Sequence, residues 1–509
     1  MVFSLTPVFA QQTDSSGNNG GNKNNYSPDS IFVINSFNFN VDGRTRPYAL
    51  INKADLIIGE EIIGFANLEK YIQNKTQLLI NERVLKNNVL IEYTVDEPPE
   101  NEDGEKKFPV NLTITVEDTW NIVGLPYPKY DSNTGFEIII KLRDYNFLGT
   151  MSPLRLDVGY RNDEEKRHIF TSMLDADIPF RFLGLNWNFD FDNNFNYQPN
   201  KEFHYYFLNK TGLYVDIPVG FTTMTIGFYE HLIYNEENSN HDKILFGKNF
   251  QEGLYMSSRP YISWKIPTRF MFGDEELTYT PRISAVFNHE ISAWALSENR
   301  IGPFFTFSHD FSVGRVDWIG NFKKGFSASI SNSVNYNFYY LQNNSYFTLT
   351  EQDPLTSSLD VSGAGYFILT DFLGFSTRFK YRHWFNTYNS GAGDTLRGFR
   401  DGNISADYMV SVNFDVPIRV LRFKPSKWFN SKVKVFDFDL HLSPVVDFAV
   451  YQEHKKDGAG YFLLSAGLEA IIFPDFFRSL FLRVSFGYGL LGPDHVKGYE
   501  LFVGMELHY

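Results

Sequence analysis

The sequence predicts a mainly β protein, a transmembrane antiparallel β-barrel preceded by one small α+β domain. Three observations carry that expectation. From about residue 120 to the end, hydrophobicity alternates with a period of two, and the alternating segments run to ten residues or more. Aromatic residues are abundant without overall apolarity: 51 Phe, 30 Tyr and 7 Trp make 17% of 509 residues, against 43% hydrophobic in all. A soluble sandwich also alternates, but with strands of about 5 to 6 residues. A tilted strand that crosses a bilayer needs about 9 to 11, and aromatic girdles are ordinary there.

Composition removes several other classes. There is no cysteine, hence no disulfide framework, thiolate metal site or cysteine nucleophile. The balance of 46 Lys+Arg against 60 Asp+Glu gives a net charge of -14, which argues against a nucleic-acid partner needing clustered cations. No apolar run reaches the roughly 18 to 20 residues of a membrane helix. Enzyme motifs fail one by one. His289-Glu290-Ile291-Ser292-Ala293 has Ala293 where a zinc helix needs its second histidine, and Gly391-Ala392-Gly393 opens a dinucleotide loop that breaks at Leu396. No G-x-S-x-G elbow occurs. No enzymatic activity, cofactor or metal is expected, and the acidic residues on the wet faces of strands read as the lining of a water-filled lumen.

Along the chain, residues 1–10 (MVFSLTPVFA) read as the remnant of a signal peptide, apolar and ending in Val8-Phe9-Ala10. The basic n-region is missing, so the true start is expected upstream. Residues 11–28 are Gly/Asn/Ser-rich and read as a flexible linker. The span 29–119 reads as one folded unit. Ile31, Val33, Phe37, Phe39 and Val41 share a parity, with Asn35 the polar exception, which predicts a half-buried strand. Helices are predicted over Tyr48–Ile58 and Asn67–Leu85, the second with Leu68, Ile72 and Leu79 on one stripe. Two alternating strands follow, Val89–Val95 and Phe108–Val116, joined by a charged loop, Glu97–Lys107, read as a solvated hairpin tip. The order β-α-α-β-β in this span resembles the polypeptide-transport-associated (POTRA) domain.

The span 120–509 reads as the barrel. Leu185, Trp187, Phe189, Phe191, Phe195 and Tyr197 occupy one parity and Asn186, Asn188, Asp190, Asp192, Asn194 and Asn196 the other. The same split recurs in Phe136–Arg143, Phe436–Ser443 and Leu480–Tyr488. In the terminal segment Tyr499, Leu501, Val503, Met505, Leu507 and Tyr509 alternate with Glu500, Gly504, Glu506 and His508. An amphipathic strand ending on an aromatic resembles the β-signal that directs insertion of outer-membrane barrels, and Leu501, Val503, Met505, Leu507 and Tyr509 are its expected apolar face. Alternating segments number 17 from residue 134 onward and 18 with Trp120–Tyr130 included.

One loop departs from the alternation: Ser390 to Gly402, with five strands still to come. Its Leu396-Arg397-Gly398-Phe399 resembles the Val-Arg-Gly-Phe/Tyr motif of the BamA/TamA family of outer-membrane assembly and translocation proteins, with Leu in place of Val. Asn146-Phe147-Leu148-Gly149, followed by Thr150, resembles that family's turn early in the barrel. The resemblance covers 29–509 and implies about 16 strands, for which about 376 residues leave roughly 23 per strand and connection. It also implies a motif loop folded back into the lumen. A guanidinium drawn out of water needs carboxylate partners. Asp447 has lumen parity on the strand where the family places such a partner, and Glu469 is the second candidate. Gly398 would allow a tight turn and Phe399 would pack on the wall.

The resemblance implies an outer-membrane assembly factor whose periplasmic POTRA domain captures unfolded or partner polypeptides by strand addition. Its barrel would insert or translocate them through an openable seam between first and last strands. Outer-membrane lipid, polypeptide clients and accessory periplasmic or lipoprotein subunits are the expected partners. Family members carry up to five POTRA domains, whereas this span has room for one. The alternative is a passive porin-like or structural outer-membrane barrel without insertase activity.

Overall fold

The computed structural model describes residues 26–98, 106–131, 135–162, 168–199, 205–235, 253–291, 303–338, 355–389, 391–429, 431–454 and 460–504. The expected signal remnant, most of the linker, and Met505, Leu507 and Tyr509 lie outside them. The chain divides into two compact units between Asp118 and Thr119.

In the first unit the elements are β1 (Ile31–Asp42), α1 (Pro47–Ala54), β2 (Glu61–Ile63), α2 (Phe65–Asn81), β3 (Leu90–Val95) and β4 (Lys107–Glu117). The sheet order is β2-β1-β4-β3, with β1 parallel to β4 and the outer strands antiparallel. Strand β2 was not anticipated, because three residues are too few to show a period. Both helices are shorter than expected. Asp55 ends α1 in the left-handed conformation (φ 49°), and the buried Lys75 of α2 donates to its carbonyl at 2.5 Å. That contact satisfies an orphan acceptor at a helix C-terminus with a cation.

Strand β1 does not keep one parity. A bulge at Asn35 shifts its register against β4, so Phe32 and Ile34 face the core before it and Phe37, Phe39 and Val41 after it. Their β4 neighbours Val110, Leu112, Ile114 and Val116 are fully buried. Ile31 and Val33 therefore lie opposite the face assigned by alternation. In α2, Leu68, Ile72 and Leu79 form the buried stripe. Tyr71 donates to Glu60 at 3.0 Å, and burial together with that carboxylate pushes its phenol well above the usual range.

Among the described residues the second unit is one antiparallel sheet of nineteen strands in circular order, with the last, Tyr499–Gly504, next to the first, Ile122–Asp131. Two of the nineteen share one place. Ala406–Asp415 and Ile418–Phe423 both pair with Phe438–Glu453 and keep a common register, Asp415 opposite Val445 and Ile418 opposite Leu442. Eighteen positions therefore surround the sheet, against the about 16 expected; the extra pair is the correction. Connections at one end are two-residue turns such as 183–184, 220–221, 273–274 and 320–321. At the other end consecutive described strands stand further apart in the sequence, with Asn235 before Leu254, Ile291 before Phe304, Asn337 before Leu355 and Phe385 before Ala406.

Burial along these strands is inverted relative to a soluble protein. In Leu482–Leu491, Val484, Phe486 and Tyr488 are exposed while Arg483, Ser485, Gly487 and Gly489 between them are buried. In Phe438–Glu453 the buried set includes Asp439, His441, Ser443 and Asp447. The period of two thus sorts polar residues to the inner face of the sheet and apolar ones to the outer.

Candidate functional site

The chain between the strands Gly374–Phe385 and Ala406–Asp415 turns onto the inner face. Its base is closed by a two-way backbone bridge between Asn389 and Ala406. A 3-10 turn, Ala392–Thr395, follows, and Arg382 holds Asp394 with a forked pair of bonds at 2.9 and 3.2 Å. Leu396, Arg397 and Phe399 are then buried, while the neighbouring Arg400 is exposed.

Arg397 is 1% exposed and has three carboxylates around it. Its Nε and Nη2 donate to Asp447 at 2.9 and 2.5 Å, the planar fork geometry that arginine offers a carboxylate. The backbone N–H of Arg397 donates to Asp447 Oδ2 at 2.9 Å. Nη1 reaches Asp415 at 2.6 Å and Glu469 at 3.2 Å. The acids have other donors. Arg378 and Ser376 bond Asp415, Arg483 and Ser485 bond Glu469, and Asn413 bonds Asp447 and the carbonyl of Thr395. Asp415, Asp447 and Glu469 against Arg378, Arg397 and Arg483 make a charge-neutral cluster. Neutrality and dense hydrogen bonding are what offset desolvation of charges this deeply buried.

Glycine sets how close the loop can come. Gly398 has φ +84°, a conformation that L side chains rarely adopt, and a Cβ there would stand 2.7 Å from the backbone of Tyr488. On the opposing strand a Cβ on Gly487 would stand 2.7 Å from Arg397 Cβ. The Gly398 N–H donates to Glu500 at 3.1 Å, so the loop touches the last strand. Phe399 bridges to Lys497, and its ring sits in an apolar cluster with Leu396, Ile404, Met409, Tyr451 and Leu463.

Asp415, Arg378, Arg483 and Glu500 were not singled out by the sequence. Parity places each on the inner face, but only the registers of neighbouring strands bring them to one height. Asn146, Phe147, Leu148 and Gly149 stand apart from this cluster, in the turn between Gly135–Asp144 and Leu154–Asn162. There the fully buried Asn146 accepts from the Met151 N–H at 2.9 Å, while Leu148 and Met151 both have positive φ. The described part of the last strand puts Leu501 opposite Phe486 and Val503 opposite Val484, the outer parity.

No family model matches the sequence, and no curated protein matches it. Among solved structures, CdiB from Acinetobacter baumannii is similar at 13% identity, over 93% of this chain and 73% of that one, with a TM-score of 0.48. BamA from Haemophilus ducreyi lacking POTRA domains 1-3 is similar at 13% identity, over 93% and 84%, with a TM-score of 0.40. CdiB from Escherichia coli is similar at 10% identity, over 92% and 76%, with a TM-score of 0.48. These neighbours are outer-membrane β-barrels.

Proposed function

We propose that this chain is an outer-membrane assembly or translocation factor, with residues 120–509 a closed barrel in the membrane and 29–119 a POTRA-like periplasmic domain. The observation that carries the reading is the inward loop whose Leu396-Arg397-Gly398-Phe399 motif is clamped by Asp415, Asp447 and Glu469. A passive pore gains nothing from tying such a loop to its last strand. A barrel that parts beside that strand does, because Glu500 on the Gly398 N–H links loop position to the seam. In the first unit, the outer edge of β3 is where an extended client would add as a further strand.

The test exploits the cysteine-free background. Cysteine pairs scanned between 122–131 and 499–504 are expected to include one that crosslinks and blocks insertion of client barrels, restored by reductant. Full insertion with the seam quantitatively locked would remove the proposal. One observation favours a passive channel instead: a cavity of about 570 Å³ on the inner face, lined by Asp175, Asp190, Asp192, Lys210, Arg259 and Arg282 among others. Under that alternative the locked protein conducts steadily and its depletion leaves other outer-membrane proteins at normal abundance.

The membrane placement is tested separately. Leu468 is exposed and lies mid-strand in Gly460–Pro474. Leu468→Arg is expected to cost about 2 to 4 kcal/mol and reduce the heat-modifiable folded species, whereas Trp187→Arg, beside the turn at 183–184, costs about 0 to 1. Equal tolerance at the two depths would mean that no bilayer covers this face.

A further inference from the structure

Residues 424–437 join Ile418–Phe423 to Phe438–Glu453 through two 3-10 turns at the short-turn end, where the connections on either side, 369–373 and 475–481, are shorter. No acidic residue occurs between Asp415 and Asp437, yet Arg419, Arg422, Lys424, Lys427, Lys432 and Lys434 all do. In a chain of net charge -14 this is a concentrated positive segment. Arg419, Arg422 and Lys424 have carboxylate partners in Asp371, Asp439 and Asp475. Lys427 and Lys434 are exposed and have none among the described residues.

The segment is built rather than slack. The buried Asp437 accepts from the backbone N–H of Ser426 at 3.0 Å and from its hydroxyl, and its carbonyl accepts from Asp475 N–H at 2.9 Å. So latched, the connection presents Trp428, Phe429 and Phe436 outward, at 67, 81 and 64% exposure. Between it and the sheet runs an apolar groove of about 480 Å³ lined by Phe423, Phe429, Val435, Phe438, Ile472 and Leu482. Phe438, Ile472 and Leu482 belong to the outer face, so the groove is continuous with the surface that faces acyl chains under the membrane reading.

We infer that this groove is a binding site for an anionic phospholipid of the adjoining leaflet, one acyl chain in the groove and the phosphate held by Lys427 and Lys434. The inference rests on the membrane reading. Charge complementarity selects the headgroup, since unpaired lysines at a bilayer surface attract anionic lipid and their stems run along apolar surface. Among the exposed aromatics Trp428 is of the kind that settles at the headgroup level.

Trp428 is the probe. Full-length protein is reconstituted in phosphatidylcholine vesicles carrying a minor fraction of brominated-chain phosphatidylglycerol or, separately, brominated phosphatidylcholine. The Trp428 signal is the fluorescence lost in Trp428→Phe. Two cations predict that the anionic lipid is enriched about thirtyfold at Trp428. The K427Q/K434Q double variant should quench equally with both lipids, and K427E/K434E should quench less with the anionic lipid than with phosphatidylcholine. Equal quenching in the unmodified protein overturns the headgroup site. Absence of quenching by either lipid, in protein that is heat-modifiable and floats with the vesicles, overturns the groove as a lipid site and leaves a protein partner as its occupant. Protein that does not float at all removes the membrane reading instead.

Discussion

Replacing Arg397 by alanine is expected to release the inward loop and destabilise the sheet around it by about 3 to 5 kcal/mol, the range for breaking a buried ion pair from one side. Asp415, Asp447 and Glu469 would remain buried with only Arg378 and Arg483 to balance them. Two readouts check it: protease cleavage of residues 391–403 added from outside, and the urea midpoint of the folded species. Asp447→Ala should cost less, because Arg397 keeps Asp415 and Glu469 within 2.6 and 3.2 Å. Arg397→Lys should recover little, since a point charge cannot reproduce the fork on Asp447. Arg400→Ala is the control and should be silent, its side chain being exposed. An unchanged cleavage pattern in Arg397→Ala would mean that the carboxylates do not hold the loop.

Gly487→Val should produce the same released loop with every charge in place. The added Cβ would stand 2.7 Å from Arg397 Cβ and 2.8 Å from the Gly398 N–H, both on the backbone side of the loop, where no side-chain rotamer can give way. Gly487→Ala already forces a shift, at a cost of about 1 to 3 kcal/mol, and the branched residue should exceed it. Gly363→Ala is the matched control, because its Cβ would meet nothing closer than 3.8 Å. Since Gly487→Val and Arg397→Ala release one loop, the double variant should be little worse than the worse single variant. Full additivity in urea unfolding would mean that the two residues support different structures.

Arg397 and Asp447 were legible because one sits in a four-residue motif outside the alternation and the other has inner parity on a strand of unbroken period. Asp415, Arg378 and Arg483 share that parity and were still invisible as a group. Parity says which face a side chain takes; height along the wall depends on the registers of several strands, which are set by turns and bulges. Asn35 shows the same limit within one strand, where a single bulge reverses the face of every residue before it. Strand number was better read from the segments, 18 with Trp120–Tyr130 included, than from the resemblance, which implied about 16. The break at Val416-Pro417 hides nothing in the alternation but splits one place into two named strands.

Under the membrane reading, eighteen positions rather than sixteen also change what would pass through the middle. Barrel diameter grows about linearly with strand number, so the lumen is about an eighth wider and about a quarter larger in cross-section. The loop is fixed to the arc from Gly374 to Gly504, while the 570 Å³ cavity is lined from the arc Met173 to Thr306, which the loop leaves clear. Along that arc Asp175, Asp190 and Asp192 come first and Lys210, Arg259 and Arg282 after them, the two strips meeting where Lys210 pairs with Asp192 at 2.9 Å. Small cations and anions would follow separate tracks along the two halves of this wall. In a salt gradient the reversal potential should therefore sit close to zero despite the strongly acidic chain, and Arg259→Glu with Arg282→Glu should move it toward cation preference.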